Sequence, residues 1–206
     1  MEILNEYRRN RPLSCGIIVI DNFYENPIEV RNFALKQEYI EHKCLEDSYC
    51  IGKRSKSFAC QEHKERFQQI LEPVVGKITN FPFDTENGKF QYSTSNEHSW
   101  VHYDRQNTNW AGVIYLTPDA PVESGTAFYQ YIDGTMNANE CKLMNSDYIK
   151  YDKDMTKWKL VDKVGNIFNR LVLFDSSKYH TAVDYFGSDL YNSRLYQLFF
   201  FSTQSS

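Results

Sequence analysis

The segment from Ser99 to Arg105 carries an imidazole and a carboxylate two positions apart, at His102 and Asp104. In a β-strand, side chains at positions i and i+2 project from the same face, so these two groups could bind one metal ion together. They would supply two of the three ligands of a 2-His-1-carboxylate site, which holds Fe(II) and leaves positions open for further ligands. The spacing alone also fits two polar residues at the end of a surface strand.

His180 is the candidate for the third ligand among the five histidines of the chain. It follows the apolar segment that ends at Phe174, so a core strand would deliver its imidazole, although a histidine there is also common as a hydrogen-bonded core residue. Arg194 begins an almost wholly apolar segment, where burying a guanidinium without a partner would be costly. A carboxylate is the partner that arginine fits best. Metal ligands near Arg194 therefore suggest a small dicarboxylate cofactor that reaches from the arginine to the metal.

Strand patterns dominate the chain from Gly88 onward and predict the element that must position these residues. Aromatic residues, which favour strands, make up 16% of the chain. About eight short strands with turn signals between them are typical of a jelly roll or sandwich. We expect these strands near residues 89–94, 99–105, 111–117, 126–131, 158–164, 169–174, 180–183 and 193–201.

The pattern of the N-terminal part predicts one strand and two helices, and the helices would cover a face of this sheet. The strand spans residues 16–21, and the first helix has Asn26 as N-cap, Pro27 at its first position and an end near Gln37. Residues 41–59 are expected to be an irregular loop. The second helix is expected near residues 61–79, kinked or split by Pro73.

The length of 206 residues fits a single domain, with 1–87 as N-terminal elements packed on a core formed by 88–206. A polar insertion at 133–157 interrupts the strands. It is either a functional lid or a solvated loop.

Composition limits the partners and the compartment. A net charge of −4 gives no general footprint for nucleic acid, and no apolar run is long enough to span a membrane. Without a secretory signal pattern, we expect a soluble, cytoplasmic protein. Five cysteines at irregular spacings favour reduced thiols. A zinc site is the less favoured reading of His42, Cys44, Cys50, Cys60 and His63, because five and nine residues separate the successive cysteines.

Five features in order give the chain a resemblance to a known family: His102-x-Asp104, a Tyr-Leu-Thr strand at 115–117, Ser124-Gly125-Thr126, His180, and Arg194 14 residues later. Over roughly residues 88–202 the chain resembles the Fe(II)/2-oxoglutarate-dependent dioxygenases, especially their prolyl-hydroxylase-like branch. The segments 19–31, 169–174 and 185–187 also resemble a bacterial and phage group of such proteins whose substrates are unknown.

The resemblance implies a mainly β fold with flanking α-helices, the double-stranded β-helix, which is a cupin-like jelly roll. It implies that His102, Asp104 and His180 bind Fe(II) and that Arg194 pairs with the distal carboxylate of 2-oxoglutarate. Tyr92 lies where some relatives place a tyrosine on that carboxylate. Other relatives use a tyrosine directly before the Tyr-Leu-Thr tyrosine, where this chain has Ile114.

The implied reaction consumes O₂ and 2-oxoglutarate, releases succinate and CO₂, and hydroxylates an amino acid, a peptide side chain or a small metabolite. Because Asp104 supplies the third protein ligand, no vacancy is left for a halide, and hydroxylation is favoured over halogenation. The alternative is a metal-binding jelly roll of another class, either a zinc hydrolase or a non-catalytic binding module. The sequence leaves the substrate and the oligomeric state open.

Overall fold

The computed structural model describes residues 16–41, 52–104, 108–139 and 152–204. The described chain forms two α-helices, one short 3₁₀ helix and a series of antiparallel strands. The helices are α1 (Pro27–Ala34), α2 (Gln61–Val75) and the 3₁₀ helix Met155–Lys157. The strands are β1 (Ile17–Ile20), β2 (Ile40–Glu41), β3 (Lys53–Arg54), β4 (Ile78–Asn80), β5 (Phe90–Ser93), β6 (Trp110–Tyr115), β7 (Thr126–Tyr131), β8 (Trp158–Val164), β9 (Leu171–Asp175), β10 (His180–Ala182) and β11 (Arg194–Thr203).

The strands form two antiparallel sheets that face each other. The large sheet has the order β1-β9-β6-β11-β5-β3-β2, with β4 also pairing with β11, and the small sheet has the order β10-β7-β8. A single antiparallel bridge between His102 and His180 adds the His102 segment to the edge of the small sheet. The mainly β jelly roll with flanking helices is therefore confirmed.

Strand β11 at the middle of the large sheet shows how the two faces are used. Leu195, Phe199 and Phe201 pack on one face against residues of both helices, such as Phe67 of α2. Tyr196, Leu198 and Phe200 pack on the other face, in the interior between the sheets. Alternation along one strand thus separates a helix-side core from the jelly-roll interior.

Asn169 joins the start of β9 to the connection between β1 and α1. It has a φ of 65°, and its side-chain amide bonds both the N–H and the carbonyl of Tyr24 at 2.8 Å. Its backbone carbonyl also accepts a hydrogen bond from Phe23 N–H at 3.0 Å. Asn is one of the few residues that tolerate this left-handed conformation, so one buried side chain fixes how the N-terminal elements meet the sheet.

Glu86 lies between two cations at the entrance to β5. Its carboxylate contacts Arg54 Nη1 at 2.6 Å and Lys89 Nζ. Burial raises the pKa of Glu86, but the hydrogen bonds and charges of these two cations outweigh it, and the net pKa is lowered.

Three local predictions differ from the structure. The second helix runs through Pro73 without splitting. It ends at Val75, because Gly76 adopts a φ of 81° and Ile78–Asn80 pairs with β11. The expected loop at 41–59 contains β3, which pairs with β5. The His102 segment is held by the single bridge described above rather than by a regular strand.

Part of the predicted insertion, residues 140–151, lies outside the described residues. Within the part of the chain that the structure describes, no helix is both long and apolar enough to cross a membrane.

Candidate metal centre

His102, Asp104 and His180 come together at one end of the small sheet. Each can offer one ligand atom, and these three atoms all lie within 4.8 Å of one another. The imidazole rings of the two histidines have centroids 4.4 Å apart, and His180 Nε2 lies 3.5 Å from Asp104 Oδ2. The three side chains that the sequence singles out therefore form one cluster.

Backbone hydrogen bonds position this cluster. His102 N–H donates to the His180 carbonyl at 2.9 Å, and His180 N–H donates to the His102 carbonyl at 2.8 Å. Asp104 N–H donates to the Ser176 carbonyl at 2.9 Å. Because neighbours across such a pair point the same way, the bridge brings both imidazoles to one side.

Both histidines have the same local hydrogen bond. Nδ1 of His102 lies 3.0 Å from the carbonyl of Trp100, and Nδ1 of His180 lies 2.9 Å from the carbonyl of Lys178. A carbonyl can only accept, so Nδ1 must carry the proton in both rings. Nε2 is then left with a free lone pair, as in histidines that bind metals.

Burial also favours the neutral form of the second histidine. Desolvation lowers the pKa of His180 to about 4, with a further lowering from His102 that outweighs the opposite effect of Asp104. His180 is neutral at pH 7, so its contact with Asp104 is not an ion pair. Two imidazole nitrogens and one carboxylate oxygen make up the donor set of a 2-His-1-carboxylate site, and the residues present fit a divalent metal.

The surroundings of His180 are apolar on the interior side. Its ring lies 4.4 Å from the ring of Phe174 and 6.3 Å from that of Phe128, measured between centroids. Both phenylalanines belong to the interior cluster between the sheets. The candidate metal centre therefore borders the apolar interior between the sheets.

Arg194 enters the same interior from the first position of β11. The residue is only 2% exposed, and its guanidinium donates to the carbonyls of Ser124 and Gly125 at 3.2 and 3.4 Å. The rings of Tyr196 and Tyr115 lie 4.5 and 5.3 Å from its Cζ atom. Among the described residues no carboxylate pairs with it, so this buried cation lacks an anion.

The separation between Arg194 and the metal cluster follows from the register of β7. Arg194 contacts the carbonyl of Gly125, whereas His180 pairs with Phe128, three residues further along the chain. Three residues of a strand span about 10 Å. A short dicarboxylate that lies along β7 could therefore have one end at each site.

Tyr115 lies beside Arg194 in the interior, and sequence reasoning missed it. Its hydroxyl forms a 2.7 Å hydrogen bond with Thr126 Oγ1, and its buried ring packs beside the Arg194 guanidinium. Burial raises the pKa of Tyr115, with Arg194 opposing the effect. The neighbouring Ile114 lies on the helix-side face. Tyr115 thus offers a hydroxyl from the same strand, one position later than in the relatives that use the preceding residue.

Tyr92 requires a correction, because it lies on the other face of the sheet. Its cross-strand neighbour is Leu195, and it packs on the helix-side core with its ring 5.1 Å from that of Tyr39. Ser93 is the residue of β5 that pairs with Arg194. The predicted contact of Tyr92 with a carboxylate at Arg194 is therefore incompatible with this structure.

The residues of the less favoured zinc site are only partly described. His42, Cys44 and Cys50 lie outside the described residues, while Cys60 and His63 contact each other, with 3.0 Å between Sγ and Nδ1.

Comparison with known proteins places the chain in a family. Residues 13–183 match the model of a family of unknown function, DUF6445. The chain belongs to the DUF6445 family. No curated protein matches this DUF6445 chain.

Solved structures establish the fold of this DUF6445 protein. HygX from Streptomyces hygroscopicus with nickel and 2-oxoglutarate bound is similar, with a TM-score of 0.61, 10% identity, and coverage of 92% of this chain and 83% of that one. A prolyl hydroxylase from Trichoplax adhaerens, in complex with a hypoxia inducible factor peptide fragment, gives a TM-score of 0.57 at 15% identity over 97% of this chain and 90% of that one. The epimerase SnoN from nogalamycin biosynthesis gives 0.58 at 11% identity, over 96% and 82%. The DUF6445 chain therefore has the double-stranded β-helix fold of these enzymes.

Proposed function

We propose that this DUF6445 protein is an Fe(II)- and 2-oxoglutarate-dependent dioxygenase. It would hydroxylate an amino acid, a peptide side chain or a small metabolite, with release of succinate and CO₂. One observation carries the proposal: a buried arginine without a carboxylate partner among the described residues shares an interior with a 2-His-1-carboxylate cluster. A keto acid with a second carboxylate satisfies both features at once.

The protein ligands in this proposal are His102, Asp104 and His180. Bound Fe(II) would supply the site where O₂ is reduced while 2-oxoglutarate is decarboxylated. The Trp100 and Lys178 carbonyls hold the two imidazoles with Nε2 free, so the ligands need no reorientation. Asp104 fills the third protein position, which favours hydroxylation over halogenation.

The distal carboxylate of 2-oxoglutarate would be held by Arg194, with the hydroxyl of Tyr115 beside it. A guanidinium binds a carboxylate through two parallel N–H bonds, which also fixes the orientation of the cosubstrate. The apolar rings of Phe128 and Phe174 lie on the metal side of the interior, where they would exclude water. These residues bind, orient and exclude solvent, and the metal supplies the redox chemistry.

The structural neighbours support the cofactor assignment by analogy of fold. HygX was crystallised with nickel and 2-oxoglutarate, and SnoN with Fe³⁺ and α-ketoglutarate. Their other bound molecules include hygromycin B, nogalamycin RO and, in the prolyl hydroxylase, a peptide. Because these differ so widely, the substrate class of this chain stays open between small molecules and peptides.

An anaerobic thermal-shift titration tests the proposal. We expect 2-oxoglutarate to raise the melting temperature only when Fe(II) is present, and N-oxalylglycine to compete with it. Admitting O₂ should then produce succinate. Asp104→Ala should lose the metal-dependent response, while Asp162→Asn, which removes an exposed carboxylate, should keep it.

The same titration separates the proposal from a zinc hydrolase or a non-catalytic module on this fold. A protein of either kind needs no dicarboxylate anchor and would respond to metal alone. If 2-oxoglutarate fails to bind the Fe(II)-loaded protein, the proposed function is refuted.

A further inference from the structure

A second group of reactive side chains lies on the helix side of the large sheet, away from the jelly-roll interior. Cys60 Sγ lies 3.0 Å from His63 Nδ1, and His63 Nε2 lies 3.3 Å from the hydroxyl of Tyr24. That hydroxyl lies 2.5 Å from Gln197 Oε1, and Gln197 Nε2 donates to the carbonyl of Gly88 at 3.0 Å. The chain of hydrogen bonds runs from a buried backbone carbonyl to an exposed thiol.

The direction of each hydrogen bond follows from its buried end. The Gly88 carbonyl can only accept, so the Gln197 amide must present its NH₂ group there and its oxygen to Tyr24. The amide oxygen also only accepts, so Tyr24 must donate to it. The Tyr24 oxygen is then the acceptor for Nε2–H of His63. Nδ1 of His63 is left with a free lone pair, and it faces the Cys60 thiol.

The surroundings hold the imidazole as a neutral base. Its ring lies between the rings of Tyr24 and Phe199, at centroid distances of 6.1 and 5.1 Å. Desolvation lowers the pKa of His63, and the nearby Glu62 opposes this lowering. A neutral, oriented imidazole can take a proton from the thiol, and the hydrogen bond from Nε2–H to Tyr24 would support the imidazolium that forms.

Cys60 occupies the N-cap position of α2, where its own side chain caps no backbone N–H. The sulfur is therefore free to face solvent on one side and His63 on the other. A nucleophile, a base and a group that orients the base are the three parts of an activated nucleophile. The arrangement thus amounts to more than a cysteine at a helix end.

We propose that Cys60 is a nucleophilic thiol with His63 as its base and Tyr24 as a positioning residue, and that peroxides modify it. The sulfur attacks one peroxide oxygen, the S–O bond forms and the O–O bond breaks. His63 Nδ1 takes the thiol proton and passes it to the departing hydroxide, which leaves as water. Sulfur loses two electrons to become a sulfenic acid, and the peroxide gains them.

A zinc site explains this pair less well within the described residues. Four-coordinate structural zinc needs two further ligands. The one group of three or more potential ligands that the described ranges contain is His102, Asp104 and His180. The directional hydrogen bonds, by contrast, already account for every polar atom of the His63 ring.

Alkylation by iodoacetamide at pH 7 in a chelating buffer tests the proposal without iron or 2-oxoglutarate. Peptide mass spectrometry follows Cys60 alone, and a synthetic peptide spanning residues 54–66 gives the rate for the same sequence without the fold. Alkylation requires loss of the thiol proton, so a base held against the thiol speeds the reaction. We expect Cys60 in the protein to react about tenfold faster than in the peptide.

Variants assign the effect to the hydrogen-bond chain. His63→Gln should bring the rate down to that of the peptide, and Tyr24→Phe, which keeps the ring, should lower it about threefold. His98→Gln, which removes an exposed imidazole from another loop, should change nothing. Trapping with dimedone after hydrogen peroxide should label Cys60 in the wild type much faster than in His63→Gln.

Two results would overturn the proposal. One is a Cys60 that reacts no faster in the folded protein than in the peptide, which needs no variant to be measured. The other is a correctly folded His63→Gln protein, checked by circular dichroism, that keeps the wild-type rate.

Discussion

Replacing Arg194 by leucine should remove the anchor for 2-oxoglutarate while leaving the metal ligands in place. Arg194 is 2% exposed, and its guanidinium donates to two carbonyls at 3.2 and 3.4 Å. These hydrogen bonds are long, so most of the donor capacity of the guanidinium N–H groups remains available for an anion. A charge-assisted hydrogen bond contributes about 1.5–3 kcal/mol. The dissociation constant for 2-oxoglutarate should therefore rise roughly tenfold to 150-fold.

This loss can be measured as a smaller thermal shift. Ligand at 100 times its dissociation constant stabilises a protein by about 2.7 kcal/mol, and ligand at its dissociation constant by about 0.4 kcal/mol. For a chain of this size, 1 kcal/mol corresponds to roughly 2–4 °C. A hundredfold loss of affinity would thus reduce a shift of about 5–11 °C to about 1–2 °C.

The measurement is an anaerobic melting curve with Fe(II), each variant being compared with its own ligand-free form. Arg194→Lys keeps the charge but not the fork and should fall between wild type and Arg194→Leu. Arg66→Leu removes a more exposed guanidinium on α2 and should keep the full shift. If Arg194→Leu binds 2-oxoglutarate as tightly as the wild type, the guanidinium does not anchor the cosubstrate.

Three further predictions follow from features away from the metal. Asn169→Ala should lower the free energy of unfolding by about 2–4 kcal/mol in urea titrations, since it removes two buried hydrogen bonds from a left-handed residue; a loss below about 1 kcal/mol contradicts this. Gly125→Ala would place a Cβ 1.9 Å from the Val164 carbonyl oxygen. The affinity for 2-oxoglutarate, measured by titration, should therefore fall at least about tenfold. Gly134→Ala, which has nothing within 4 Å of the added Cβ, should keep this affinity. Glu86→Gln should destabilise the protein above pH 5 by about 1–2 kcal/mol. The lowered pKa of Glu86 stabilises the fold fully above the unfolded-state value of about 4.3, and this stabilisation is lost as the pH falls through the lower pKa of the folded state. An equal gap between the two melting curves at pH 3 and pH 7 would contradict the assignment.

The sequence was informative where chemistry and strand pattern coincide. Residue type and order brought out His102, Asp104 and His180, and alternating patterns indicated the strands that surround them. Yet His102 is held by one bridge to β10 rather than by a strand. This geometry depends on the pairing partner, His180, which is distant in sequence. The local sequence pattern around His102 therefore does not predict it.

The assignment of Tyr92 failed for a physical reason. In β5 the aromatic residues Phe90 and Tyr92 face the helices, whereas the polar Gln91 and Ser93 face the interior. The interior side of β5 therefore departs from the usual rule that apolar side chains point inward. Tyr115, from another strand, lies beside Arg194 instead, and only the register between strands reveals it.

The hydrogen-bond chain at Cys60 likewise could not be predicted from the sequence. Cys60 and His63 are close along α2, but the tautomer of the imidazole depends on Tyr24 and Gln197. Those two residues are 173 positions apart in the chain. Their meeting depends on how α2 and the β1–α1 connection dock on β11, which is a property of tertiary packing.

Strand β11 carries one residue of each proposed site on opposite faces. Arg194, at an even position, points into the interior, and Gln197, at an odd position, points to the helices and Tyr24. Both residues depend on the same strand register. A single-residue insertion or deletion near the start of β11 would therefore move both side chains to the opposite face of the sheet. The side chains at Arg194 and Gln197 can therefore be replaced independently, whereas a change of chain length near the start of β11 would affect both sites.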